Sequence, residues 1–436
     1  MMRTCAGILC VLAALLARPA LADDDDAQPA SDHVLRGETT FVYQGHPSFR
    51  SPYSGENSLT GSKEAKETWS ATLYIGCKLW EGADLWINPE VNQGFGLSNT
   101  FGLAGFPSGE AERAGTAYPK LHLQRIFLRQ TFGLGGEQET IEGDENEFGG
   151  KRDVARITAT VGKFSLPDMF DRNAYAHEAR TGFMNWALFE AGAFDYPADQ
   201  FNFTWGGVLE LNQKYWAIRA GYVMVPNEPE SNHFDTRFPG RAGALVEFEL
   251  RYALSGEPGK LRVLAFVNRS NAGSYAAALA DPDLEIEQTR RTRTKYGFVV
   301  NLEQQISEDL GLFSRLSWND GRSEIIAFTD IDASLSAGAV LRGTAWNRPS
   351  DRIGIGGAIN ALSKPHRDFI AAGGLGIIIG DGRLNYGQEK IFETYYSYNI
   401  RKNLDFTLDY QFIADPAYNA DRGPVSILTA RLHAEF

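Results

Sequence analysis

Polar and apolar residues alternate along much of the chain. The segment 404–412 places an apolar residue at every second position, and the segment 246–254 does the same. A period of two is the period of a β-strand, whose successive side chains point to opposite faces. The pattern therefore predicts many strands that each carry one apolar and one polar face.

About sixteen such segments follow one another. They lie near 38–45, 67–80, 83–92, 121–132, 155–164, 204–211, 215–225, 243–254, 260–269, 294–304, 310–318, 327–341, 352–362, 391–400, 404–413 and 425–436. Most are close to the roughly 9 to 11 residues that a tilted transmembrane strand needs, and longer than the strands of soluble sheets. The fold class predicted is an all-β transmembrane antiparallel barrel of about 16 strands.

Short and long connections alternate between these segments, as they do between the periplasmic turns and extracellular loops of outer-membrane barrels. The longest connection, 165–203, is rich in aromatic and charged residues, and we expect it to fold inward as a constriction. The alternative is an external loop held by its own aromatic residues. The acidic, glycine-rich stretch from Gly133 to Asp153 stands where a short turn is expected, so it is either a periplasmic insertion or an additional hairpin.

The two ends of the chain suggest an exported protein. Arg3, an apolar run and the sequence Ala20-Leu21-Ala22 have the order of a secretory signal, so residues 1–22 are predicted to be removed. Residues 23–37 form an acidic, flexible periplasmic segment in this interpretation, and the barrel spans 38–436. The chain ends in Phe436 on an amphipathic strand, which is interpreted as an assembly signal for the barrel-assembly machinery.

Composition narrows the function further. The formal charge of −13 argues against nucleic-acid binding, which needs a basic surface. After signal removal Cys77 is the remaining cysteine, so no intramolecular disulfide is expected. Because no G-x-S-x-G or H-E-x-x-H motif is present, we expect neither an enzyme nor a metal or other cofactor.

Several motifs resemble the OprB family of carbohydrate-selective outer-membrane porins. They are PYSG at 52–55, NPE at 88–90, RIFLRQ at 125–130, FDRNAYA at 170–176, RTGFMNWAL at 180–188, and NADRGPV at 419–425 before the terminal RLHAEF. The resemblance covers nearly the whole mature chain. It implies sixteen strands, passage of small mono- and oligosaccharides and a selective inner constriction, in the outer membrane of a Gram-negative cell.

Two features depart from the family pattern, namely the stretch 137–153 and the arginines at 290, 291 and 293. The resemblance therefore leaves the choice of sugar open, together with the oligomeric state, monomer or homotrimer. The expected partners are small sugars, lipid and lipopolysaccharide.

A sugar path needs hydrogen-bonding groups that replace water and aromatic faces on which sugar rings stack. The alternation places candidate wall residues on the inner face: Glu210, Arg219, Glu247, Glu249, Arg251, Asn301, Glu303 and Arg315, together with Arg125 and Arg129 if Phe127 also faces inward. In the loop 165–203, candidates for the polarity of a constriction are Asp168, Asp171, Arg172, His177, Glu178, Arg180 and Asp195, with Phe183, Trp186 and Tyr196 as stacking faces. The simpler interpretation for any one wall residue is that it is hydrated and pairs with its charged neighbours in the lumen, without direct contact with sugar.

Two other functions fit a barrel. One is a lectin-like barrel that binds or displays surface polysaccharide. The other is an outer-membrane lipase, for which His122 is the nearest candidate histidine. Conductance in a planar bilayer distinguishes a channel from both.

Overall fold

The computed structural model describes residues 31–112, 114–280, 285–327 and 329–436. The predicted signal sequence, residues 1–22, lies outside the described residues. Within them, strands β1 to β16 form the barrel: His33–His46, Glu64–Trp80, Ala83–Gly94, Thr116–Gly133, Arg156–Phe164, Thr204–Asn212, Trp216–Val223, Ala242–Leu254, Glu257–Ala272, Arg291–Gln305, Leu310–Asn319, Ala333–Gly343, Arg348–Ala361, Glu389–Arg401, Leu404–Ala414 and Val425–Glu435.

Each strand pairs antiparallel with its neighbour in sequence, and β1 pairs with β16 to close the barrel. The sixteen-stranded antiparallel barrel expected from the alternation is confirmed. Closure leaves no unpaired strand edge, which is the condition for a sheet to lie in hydrocarbon.

Short helical segments lie in the connections. In the described part of the chain they are the α-helices Gly109–Glu112, Trp186–Phe189, Tyr275–Ala278 and Lys364–Ala371, and the 3-10 turns Leu97–Thr100, Leu166–Asp168, Ile286–Thr289, Thr344–Trp346 and Pro416–Tyr418. None of the described helices is long and apolar enough to cross a membrane.

The two faces of the strands differ as the alternation requires. On β8, Val246 and Phe248 are 48 % and 43 % exposed on the outer face, whereas Glu247 is fully buried on the inner face. On β15, Leu408 lies outside and Asp409 inside. An apolar exterior around a polar interior is the inverse of a soluble barrel, so the strands present their apolar side to lipid.

The observed strands differ from the predicted segments mainly at their ends; β4, for example, begins at Thr116 rather than at residue 121. β1 begins at His33, because residues 33–37 pair with Leu73 to Cys77 of β2. The predicted start of a strand at residue 327 is wrong, because β12 begins at Ala333. The backbone N–H groups of Ile326 and Ala327 instead donate to Asp195 inside the barrel, 2.8 and 3.3 Å away.

The terminal residue closes the seam between first and last strand. The backbone N–H groups of Phe436 and Gly37 each donate to the other's carbonyl at 2.8 Å. The Phe436 side chain is 56 % exposed, and its ring lies so close to Gly37 that a Cβ there would meet it at 2.5 Å.

A closed ladder of this kind should resist detergent at room temperature. We expect the unheated protein to migrate faster than the boiled protein in an SDS gel, because the intact barrel stays compact until heat breaks its strand pairing. Equal mobility in both lanes, with release from membranes by salt or carbonate, would contradict the membrane barrel.

Candidate functional site

The connection between β5 and β6, residues 165–203, folds into the barrel and is here named the constriction loop. It carries its own aromatic core, in which Trp186 is 1 % exposed and its ring centroid lies 5.6 Å from that of Phe189 and 6.2 Å from that of Tyr196. The Trp186 indole N–H donates to the carbonyl oxygen of Gly192 at 3.1 Å. The loop is therefore self-packed and also lies inside the lumen, so the two interpretations left open by the sequence hold together.

Arg180 joins the constriction loop to the wall formed by β1, β2 and β3. Its guanidinium donates to Glu110 at 2.8 Å and to Glu90 at 3.0 Å, and it also pairs with Glu38. The Arg180 side chain is 5 % exposed, and a fourth bond reaches the Thr72 hydroxyl at 3.2 Å. One buried arginine thus links the loop to β1, β2, β3 and the short helix after β3.

Asp171 anchors the other side of the same loop. The residue takes a left-handed backbone conformation, with φ of 54°, and its buried carboxylate pairs with Arg315 at 3.0 Å. Asn301 donates to the same carboxylate at 2.5 Å, and Glu247 accepts from the Asp171 backbone N–H at 2.8 Å. Glu247, Asn301 and Arg315 face inward as the alternation predicts, and the folded loop covers all three.

A narrow cavity of about 50 Å³ lies between the loop and the wall, bounded among others by Glu110, Arg125, Asp168, His177 and Arg180. Arg125 donates to both carboxylate oxygens of Asp168, at 2.7 and 2.6 Å. Such a volume holds only a few water molecules. The constriction loop therefore leaves only a small space between itself and this part of the wall.

Burial decides the charge of His177 at this narrow cavity. Desolvation, with the guanidinium groups of Arg172 and Arg315, lowers the pKa of His177 to about 3. A histidine with this pKa is uncharged at neutral pH. The cations of the narrow cavity are then Arg125 and Arg180, which face a larger number of carboxylates.

A larger polar cavity of about 550 Å³ adjoins the narrow one and shares Arg125, Asp168, His177 and Glu178 with it. We call it the vestibule. Its wall includes a ladder of ion pairs, in which Arg219 contacts Glu210, Glu247 and Glu249 at 2.5, 2.8 and 3.3 Å. Glu249 also pairs with Arg251 and with Arg262, and Arg262 extends the ladder to Glu303. Paired charges of this kind make the wall hydrophilic, but their electrostatic fields largely cancel.

The structure thus separates the candidate residues into groups. Those that line the vestibule are Arg125, Arg129, Asp168, Arg172, His177, Glu178, Glu210, Arg219 and Arg251. Arg180 and Trp186 border the narrow cavity, whereas Glu249 and Glu303 belong to the ladder. Arg172 is exposed, and among the described residues no ion pair involves it.

Several charged residues of this site were not identified from the sequence, among them Glu38, Glu90, Glu110, Glu145, Glu190 and Arg262. Glu38 and Arg262 lie on the inner faces of β1 and β9, so the alternation could have found them. Glu110 lies in an irregular connection that carries no periodic signal.

A known protein family matches most of the chain. The family model described as carbohydrate-selective porin, OprB family, matches residues 56–436. Among curated protein sequences, none matches the chain.

Solved structures share the fold at low sequence identity. The high-pH structure of Pseudomonas putida OprB is similar with a TM-score of 0.69 and 16% identity, over 93% of this chain and 94% of that chain. Its low-pH structure gives 0.52 and 13% identity over 93% of each chain. The outer membrane channel DcaP of Acinetobacter baumannii gives 0.50 and 10% identity, over 93% of this chain and 97% of that one.

Proposed function

The chain belongs to the OprB family of carbohydrate-selective porins, and from that premise we propose that small neutral sugars cross its lumen by passive diffusion through the vestibule and past the constriction loop. The protein is an outer-membrane porin. The observation that carries the proposed path is the polar vestibule of about 550 Å³, which adjoins the narrow cavity beside Arg180.

Hydrogen-bond exchange accounts for passage of a neutral sugar. A sugar hydroxyl loses water on entering the vestibule and regains partners from wall donors and acceptors. Most wall charges are already paired, so each contact is weak. Binding in the millimolar range, about 4 kcal/mol or less, would let the sugar leave as readily as it enters.

The charge of the narrow cavity favours neutral solutes over anions. Carboxylates from Glu110, Asp168, Glu178 and Glu190 line it together with two arginines. Burial, with the neighbouring charge of Asp171, raises the pKa of Glu190, which therefore carries less negative charge than an exposed glutamate at a given pH. The other three carboxylates, of Glu110, Asp168 and Glu178, still outnumber the two arginines.

Arg172 is the donor we expect to contact sugar most directly, since it faces the vestibule without an ion pair among the described residues. Replacement of Arg172 by alanine should weaken sugar block of the ion current by about three- to tenfold, the value of one or two hydrogen bonds. Titration of single-channel current with sugars of increasing size measures the effect.

Phe406→Ala is the control for this experiment, because Phe406 lies on the outer, lipid-facing side of β15. If Phe406→Ala alters sugar block while Arg172→Ala does not, the proposed path is wrong. A purified protein that does not conduct at all would favour the lectin-like or lipase alternatives.

Assembly and surroundings complete the proposal. The apolar outer face is suited to the lipid and lipopolysaccharide of a Gram-negative outer membrane. We propose Phe436 as an assembly signal for the barrel-assembly machinery, and its exposed ring at the β1–β16 seam supports this role.

A further inference from the structure

The connection between β4 and β5, residues 134–155, is a hairpin at the end of the barrel that carries the short turns. Its strands Gln138–Ile141 and Gly150–Asp153 pair with each other, separately from the barrel. We call it the periplasmic hairpin. Gly135 and Gly136 have φ of 79° and 95°, a left-handed conformation that residues with a Cβ adopt only at a cost. These two glycines turn the hairpin away from the line of β4.

The tip of the periplasmic hairpin lies inside the barrel. Arg36 of β1 donates to the backbone carbonyl oxygens of Asp144 and, at 3.0 Å, Glu147. The Phe148 ring packs on the inward-facing Trp86 of β3, with centroids 5.0 Å apart. The tip is thus held by one arginine and one aromatic contact on the inner wall.

Charged contacts add a third attachment. The Glu147 carboxylate accepts from Arg129 of β4 at 3.4 Å and from Arg152 of the hairpin itself at 3.2 Å. At the base, Glu139 pairs with Arg156 at 2.6 Å. The contacts extend from base to tip, so the hairpin has one defined position in the lumen.

Glu145, at the tip, reaches the same narrow cavity that the constriction loop borders from the other side. Glu145 lines this cavity together with Arg125 and Arg180, and it also lines the vestibule. Burial, with the negative charges of Glu38 and Glu178, raises the pKa of Glu145, while Arg125 and Arg180 act in the opposite direction.

We propose that the periplasmic hairpin forms the second half of the constriction and that Glu145 is a specificity-determining residue that disfavours anionic solutes. The inference rests on the proposed function, because it gives Glu145 a role in selecting solutes along the proposed sugar path. Two elements then narrow the lumen. The constriction loop enters from the end of the barrel that carries the long connections, and the hairpin enters from the end that carries the short turns.

Ion selectivity tests the role of Glu145. In a salt gradient at alkaline pH, which favours the ionised form of Glu145, we expect Glu145→Gln to lower the ratio of cation to anion permeability by about twofold or more, because the variant removes one carboxylate from the narrow cavity. The difference between parent and variant should shrink at acid pH, because a carboxyl with a raised pKa is protonated first as pH falls. The reversal potential measures both.

Glu137→Gln is the matched control, because Glu137 lies in the same hairpin and pairs at the surface with Lys214, where its side chain is 59% exposed. It removes the same charge from the base of the hairpin and should leave the reversal potential unchanged. If Glu145→Gln behaves like Glu137→Gln at alkaline pH, the assignment of Glu145 is wrong.

Removal of residues 138–153 tests the hairpin as a whole. A chain that turns at Gly135 and Gly136 should conduct about twofold better or more, because the turn-side half of the narrowing is gone. Unchanged conductance and selectivity in a shortened channel whose current sugars still block would overturn the hairpin inference and leave the proposed function standing. A parent protein without conductance would overturn both. If the shortened chain does not assemble, Glu145→Gln alone decides.

Discussion

Replacement of Arg180 by glutamine should both destabilise the barrel and widen its path. The side chain is 5 % exposed and pairs with Glu38, Glu90 and Glu110, whose side chains are at most 4 % exposed. Glutamine leaves three buried carboxylates without their cation. Removal of one partner from a buried ion pair costs about 3–5 kcal/mol. We expect a loss of this size in the free energy of unfolding, measured by urea titration in lipid vesicles.

The same variant should raise single-channel conductance, since repulsion between the freed carboxylates and the loss of the loop's link to β1 and β3 both widen the narrow cavity. Arg237→Gln is the control, because the Arg237 side chain is 62% exposed and its partner Asp235 retains Arg241. An Arg180→Gln protein with the parent's stability and conductance would show that Arg180 neither holds the loop nor narrows the path.

The barrel could be predicted from the sequence because one physical rule determines most of it. A strand between lipid and water must alternate with period two, and this signal accumulates over sixteen segments. The rule also placed Glu247 and Arg315 on the inner face. It failed at 327–332, which it assigned to a strand, whereas Ile331 there is buried beside Gly192 of the constriction loop.

The sequence predicted which loop forms the constriction but not the contacts that hold this loop in place. The contacts that define it join residues far apart in the chain, such as Glu38 and Arg180, and no local pattern encodes such a pair. Trp186 illustrates the difficulty. Aromatic residues in a pore loop suggest stacking faces for sugar, but the ring of Trp186 packs against Phe189 and Tyr196 of the same loop, where apolar area is removed from water.

The periplasmic hairpin shows a different limit. Its length, acidity and glycine content marked it in the sequence as an insertion or an additional hairpin. Composition alone could not say that the tip enters the lumen, because the contacts that draw it inward, from Arg36 and Trp86, lie on strands β1 and β3.

Arg315 offers the sharpest test of how the constriction loop is held. It donates to the Asp171 carboxylate at 3.1 Å and to the carbonyl oxygens of Leu188 and Ala176 at 2.9 and 2.5 Å. Arg315→Met should cost about 3–5 kcal/mol in the free energy of unfolding, because Asp171 is left as a buried charge with no cation. Hydrogen exchange in residues 166–200 should accelerate at the same time, since the loop loses several of its bonds to the wall.

Addition of Asp171→Asn to Arg315→Met should recover part of this loss, because removal of both partners of a buried pair costs less than removal of one. We expect the double variant to be more stable than the sum of the single losses by about 1–3 kcal/mol, the coupling of residues in contact. The control pairs Arg315→Met with Asp368→Asn, a partly exposed carboxylate on the helix Lys364–Ala371, for which the losses should add to within about 0.5 kcal/mol. Equal additivity in both pairs would mean that the buried pair does not fix the loop.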